Sequence, residues 1–152
     1  MTEINSIDST DMIHLYGFNN PCFYSSLFFI SNIIIAYYYE EYVYFTLFSI
    51  LLSTSLIFHY TQNKYMGIID KLAVYSVVLY GIYVYSGKCD KCCFLYHYFC
   101  LWIVFLALLG CIFIYYTGLS HTPVNFCGIF GNFFHSIIHL LASIGHNIII
   151  IL

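Results

Sequence analysis

Long apolar runs separated by short polar breaks organise this chain. Cys22 to Tyr39 holds eighteen residues without a charge, interrupted only by Ser25, Ser26, Ser31 and Asn32. At a rise of about 1.5 Å per residue, such a run is just long enough to cross the hydrocarbon core of a bilayer. Glu40 and Glu41 mark a tight turn, and Tyr42 to about Tyr60 forms a second run with Ser53, Thr54, Ser55 and His59 toward its end. Thr61 to Gly67, with Gln62, Asn63 and Lys64, predicts a polar connector that reverses at the glycine. Ile68 to Ser86 follows as a third span, with Asp70 and Lys71 in its first turn.

Gly87 to Cys93 is the next expected loop, and Phe94 to Tyr116 the fourth span. Gly118, Pro123, Gly128 and Gly131 argue against a continuous helix across Thr117 to Gly131. Asn132 is then placed to cap a fifth span from Phe133 to Leu152, whose twenty residues are what a crossing needs. Ahead of all this, Met1 to Asn20 is polar and acidic and reads as an exposed tail, with a helix starting at Pro21. The fold class expected is all-α, a polytopic membrane bundle of about five transmembrane helices over 22–39, 42–60, 68–86, 94–116 and 133–152.

Composition agrees with a membrane as solvent. Of 152 residues, 62% are hydrophobic and 22% aromatic, far outside the range of a soluble domain of this size. The four basic residues are all lysines, so there is no basic surface to hold nucleic acid through its phosphates, and that class of function is excluded. The first twenty residues lack the positive, apolar and small-residue order of a removable signal peptide, which leaves targeting to the first span. Lys88 and Lys91 favour a cytoplasmic loop between spans three and four, and with it a cytoplasmic C-terminus. The membrane expected is of endoplasmic reticulum or Golgi type.

With charged residues at only 7%, a carboxylate and several imidazoles inside apolar runs need a reason to be there. Ser55 and His59 are four apart, as are His135 and His139, and that interval stacks two side chains on one helix face. Span parity brings the start of the fifth helix back to the membrane face that holds His59 and Asp70. The depths also match, each histidine lying roughly 5 Å in from its helix end at the helical rise. His59, His135 and His139 can therefore form the open tripod of a zinc site, with water in the fourth position. Asp70 is the expected general base for that water, and Ser55 a hydroxyl that donates to a developing oxyanion or orients a ligand.

Each assignment has a plainer alternative. The histidines can serve as interhelical hydrogen-bonding groups, Asp70 can pair with the adjacent Lys71, and Ser55 can bond its own i−4 carbonyl. His146 lies seven residues beyond His139, too far along the axis for the same ion, and is assigned to packing or to the far membrane face. His14, His97 and His121 receive no role. Cys89, Cys92 and Cys93 form a cluster that suits either a second zinc site or juxtamembrane acylation.

Ser55-x3-His59, Asp70 and His135-x3-His139, taken in order, resemble the membrane hydrolase superfamily of alkaline ceramidases and progestin and adiponectin receptors. The eleven-residue step from His59 to Asp70 is most similar to the alkaline ceramidases. Phe134-His135-Ser-Ile-Ile-His139-Leu-Leu-Ala-Ser-Ile-Gly145 resembles their last helix, and Phe29-Ile-Ser31-Asn32 a motif in their first. The resemblance implies Zn2+ on the three histidines, with Asp70 and Ser55 assisting attack on an amide. It implies a membrane lipid substrate such as ceramide, or alternatively a non-catalytic, receptor-like or membrane-remodelling role. That family has seven spans, so this chain would be a shortened version, and the acidic calcium-binding segment near the ceramidase N-terminus has no match in Met1 to Asn20.

Overall fold

The computed structural model describes residue 18 and residues 20–89, 95–121 and 129–152. The N-terminal tail to residue 17, the Cys92 and Cys93 part of the cysteine cluster, and the connector over 122–128 lie outside the described residues. Among the described residues there are six α-helices: α1 (Pro21–Ser26), α2 (Phe29–Tyr38), α3 (Tyr42–Thr61), α4 (Lys64–Cys89), α5 (Leu95–His121) and α6 (Ile129–Ile151). α1 and α2 follow each other across Leu27 and Phe28 to form one crossing, Pro21–Tyr38. Together with Tyr42–Thr61, Lys64–Cys89, Leu95–Tyr116 and Gly131–Ile151, that gives five segments long and apolar enough to cross a membrane. Among the described residues there is no strand, so the fold is an all-α helical bundle.

Local chemistry sets the helix ends. Asn20 caps α1 by accepting from the Cys22 N–H at 2.9 Å, and Pro21 takes the first helical position, where a missing N–H is harmless. Asn20 itself is buried, so the tail expected over Met1 to Asn20 is anchored at its last residue. Glu40, in the left-handed region at φ 60°, makes the turn between α2 and α3.

Between α3 and α4 the reversal is tighter than the sequence suggests. Gln62 closes α3 in the left-handed region at φ 52°, donating its N–H to the Phe58 carbonyl at 2.7 Å. Asn63 then accepts from the Tyr65 N–H at 2.8 Å, and α4 begins at once with Lys64. Gly67 therefore does not turn the chain. It lies inside α4, where a Cβ would come within 2.8 Å of the Phe58 ring, and its smallness lets α3 and α4 close together. Asp70 accordingly sits beyond the first turn of α4.

Two other expected boundaries also move. Gly87 falls within α4, which continues to Cys89, since one glycine costs a helix only about 1 kcal/mol. Asn132 falls within α6 rather than at its cap, because the helix already starts at Ile129.

The first crossing lies between α3 and α6 and packs on both, while α4 packs on α3 and α5 on α6. Phe29, Ala36, Tyr44, Phe48, Leu51, Ala73 and Val77 form the core near the bundle axis. Large apolar side chains such as Tyr38, Leu79, Leu95 and Phe113 point outward, as a lipid-facing surface requires. Hydroxyls on that surface, including Thr46, Ser53 and Ser76, bond back to their own i−4 carbonyls and so need no partner helix.

Candidate metal centre

His59 lies in the last turn of α3, almost fully buried. Its backbone carbonyl, one of the orphans of a helix end, accepts from the side chains of Asn20 and Gln62, each at 3.2 Å. Asn20 thus performs two tasks with one amide, capping α1 with its oxygen and gripping the end of α3 with its nitrogen. That fixes the first turn of α1 beside His59.

From the other side α6 presents His135 and His139 one turn apart. The three imidazoles pack together, with ring centroids 5.1 Å apart for His59 and His135, 5.4 Å for His59 and His139, and 4.6 Å for His135 and His139. His139 Nδ1 is bonded to Ser25 Oγ on α1 at 2.9 Å, so Nε2 is the ring nitrogen that Ser25 does not engage. Nε2 of His59 is buried and has no hydrogen-bond partner. An imidazole nitrogen stripped of water and left without a partner costs free energy unless something else binds it.

Comparison with protein-family models, with curated proteins and with solved structures gives no match.

A further side chain enters that geometry. One ligand atom each from Cys22, His59 and His135 lie within 4.8 Å of one another. Two donors on one zinc ion stand about 3.5 Å apart at ordinary bond lengths, so small side-chain rotations would bring these atoms onto a common ion. Imidazole nitrogen and thiolate sulfur are donors that zinc prefers, and the buried, unpartnered nitrogen of His59 is a donor such an ion would take. The residues fit the metal.

Asp70 is buried on α4, while its neighbour Lys71 is exposed, so the two point apart. The carboxylate instead faces α3, accepting at Oδ1 from Ser55 Oγ at 2.6 Å and from Thr54 Oγ1 at 3.2 Å. Ser55 does not bond back to its own helix as Ser49 and Ser53 do, but points across the interface. Its hydroxyl is therefore engaged with Asp70, and it is placed to orient that carboxylate rather than to meet an oxyanion directly. Since Ser55 and His59 are one turn apart on one face of α3, the carboxylate sits about a turn deeper than the imidazole cluster.

His146 is remote from this cluster. It packs edge-on to Tyr44 and Phe48, with Nδ1 3.4 Å from the Tyr44 hydroxyl, and fits against Gly81 of α4, where a Cβ would collide with its ring. A separate polar knot joins the first and last crossings. Asn32, fully buried, donates to the Ser143 carbonyl at 2.9 Å and to Asn147 Oδ1 at 2.8 Å, and accepts from Ser143 Oγ at 2.7 Å.

Cys22, Ser25 and Asn20 are the site residues that the sequence reading passed over. A signal for two of them exists. Positions 22, 25, 29, 32 and 36 carry Cys, Ser, Phe, Asn and Ala at the spacing of one helix face, and all are buried.

Proposed function

We propose that this chain is a zinc-dependent intramembrane hydrolase of a lipid amide such as ceramide, acting in a membrane of endoplasmic reticulum or Golgi type. The observation that carries the reading is the buried, unpartnered Nε2 of His59 inside a cluster of three imidazoles. His59, His135 and His139 would hold the ion. Zinc in such a setting polarises a carbonyl and lowers the pKa of water toward about 7.

The chain's own residues supply the rest. Ser55 and Thr54 both donate to Oδ1 of Asp70, so Oδ2 is the oxygen left for proton traffic. Asp70 takes a proton from the attacking water and returns it to the leaving amine. Ser25 fixes the ring of His139 through Nδ1, and Asn20 fixes the end of α3 that carries His59. The apolar walls of Phe29 and Phe58, against His139 and His59, keep bulk water from the imidazoles.

A second reading is favoured by the Cys22 thiol within the donor set, because four protein donors close a zinc site to substrate. The chain would then be a metal-holding membrane protein with a receptor-like or membrane-remodelling role. Two measurements on the purified full chain separate the readings. Zinc bound by the wild type is expected to be lost in His135→Ala. Release of sphingosine and fatty acid from labelled ceramide is expected in the wild type and absent in Asp70→Ala, which should keep its metal. Metal without turnover on lipid amides would favour the second reading, and no metal would end both.

A further inference from the structure

The three-histidine tripod leaves Cys22 unexplained. Its side chain is 1% exposed and stands at the start of α1, between the two helices that carry the histidines. A buried cysteine is ordinarily a small apolar filler with a weak donor, and this one does have a hydrogen-bond acceptor, the Asn132 carbonyl of α6 at 3.2 Å. What distinguishes it is its company. Sγ lies within 4.8 Å of a ring nitrogen of His59 and a ring nitrogen of His135, and His59 is itself 97% buried with Nε2 unpartnered. Those are two independent observations at one point: a sulfur within reach of two imidazoles, and a buried nitrogen with nothing to bind.

We infer that Cys22 is a ligand of the metal, sharing it with His59 and His135, the three residues whose donor atoms lie within reach of one ion, while the His139 ring packs against both imidazoles. This inference rests on the metal reading of the cluster and deepens it by naming a sulfur donor beside the imidazoles. The bonding balances simply: a sulfur–metal bond forms, the S–H bond breaks, and the proton leaves to water. Several features on α1 and α6 suit that role. Asn20 accepts from the Cys22 N–H and so fixes the backbone from which the sulfur projects. Ser25 and Ser26 both donate to the Cys22 carbonyl, at 3.1 and 2.8 Å, tightening the same turn. Ser136 Oγ approaches Sγ at 3.8 Å from α6, placing a hydroxyl donor beside the charge that a thiolate would bring.

Cobalt substitution tests this without reference to turnover. The full chain in detergent, loaded with Co2+, should show visible ligand-field bands together with a near-ultraviolet sulfur-to-cobalt charge-transfer band. The charge-transfer band should vanish in Cys22→Ser while the ligand-field bands persist, with Co2+ bound about 10–100-fold more weakly. Cys100→Ser, at a buried cysteine in the early turns of α5 beside the end of α4, should change neither. Ligand-field bands without charge transfer in the wild type would overturn the role of Cys22 and leave the histidine site standing, as would a sulfur band that survives Cys22→Ser. Failure to bind Co2+ or Zn2+ at all would overturn both. Should Cys22→Ser not fold, X-ray absorption at the zinc edge of the wild type decides. A sulfur neighbour near about 2.3 Å supports the assignment, and a shell of nitrogen and oxygen alone overturns it.

Discussion

Ser55 Oγ on α3 donates to Asp70 Oδ1 on α4 at 2.6 Å, the shortest of the hydrogen bonds that join these two helices. Thr54 reaches the same oxygen at 3.2 Å but also bonds the Leu51 carbonyl of its own helix. The two hydroxyls are neighbours in sequence and unequal in what they do for the carboxylate.

Ser55→Ala should therefore destabilise the protein by about 1.5–3 kcal/mol, the range for a hydrogen bond to a charged group, and Thr54→Ala by less. Unfolding of the two variants in the same detergent reads the difference. Equal losses, or a neutral Ser55→Ala, would show that the bond does not hold the interface.

Ser25 restrains the His139 ring through Nδ1. Partners of this kind typically contribute 10–100-fold to metal affinity, so Ser25→Ala should weaken zinc binding by about that factor while the fold survives. Competition against a chelator of known affinity measures it, and an unchanged affinity would mean that His139 needs no such support or binds no metal.

Gly81 and Gly87 lie on the same helix with opposite surroundings. At Gly81 an added methyl would strike His146 and approach the Tyr44 hydroxyl, so Gly81→Ala should cost about 1–3 kcal/mol through overpacking. At Gly87 nothing lies within 4 Å, and Gly87→Ala should be stabilising by up to about 1 kcal/mol from helix propensity. A matched pair of unfolding curves tests both signs at once.

Asn32 ties the first crossing to the last through three hydrogen bonds. Asn32→Leu should cost roughly 0.6–2 kcal/mol for each interhelical bond lost, and the loss falls hardest on Asn147 Oδ1, since Ser143 Oγ keeps the Phe28 carbonyl. Zinc content should be unaffected, because the knot lies deeper along α6 than the imidazoles. Loss of metal in this variant would show that the knot sets the spacing of the site.

Ligand linkage supplies a further check. Zinc at 100 times its dissociation constant should stabilise the wild type by about 2.7 kcal/mol and His135→Ala hardly at all. A thermal midpoint that ignores zinc would count against any metal at this cluster.

The crossings were legible because burial in lipid demands long apolar runs, and little in this chain competes with that signal. Helix ends were less so. Gln62, Asn63 and Lys64 look like the body of a loop, yet a left-handed Gln62 and a capping Asn63 reverse the chain in two residues and leave Lys64 free to start α4. Gly67 reads as a turn residue by type, whereas its use is set by the Phe58 ring across the interface, which no local pattern reports. The clustering of His59, His135 and His139 followed from four-residue spacing and from the number of crossings. Cys22 and Ser25 did not stand out, since a small cysteine and a serine in an apolar run look like filler until the helix on which they sit is placed between α3 and α6.

The bonds that join the first crossing to the last link residues far apart in the chain: Cys22 with Asn132, Ser25 with His139 and Asn32 with Asn147, separated by 110, 114 and 115 positions. A growing polypeptide emerges from the ribosome in order, and its earlier parts fold first. The first crossing must therefore wait in the bilayer with Asn32 without these partners until α6 is made. Emergence of α6 is thus the event that assembles the imidazole cluster, and a product terminated ahead of α6 would carry half of every one of these pairs.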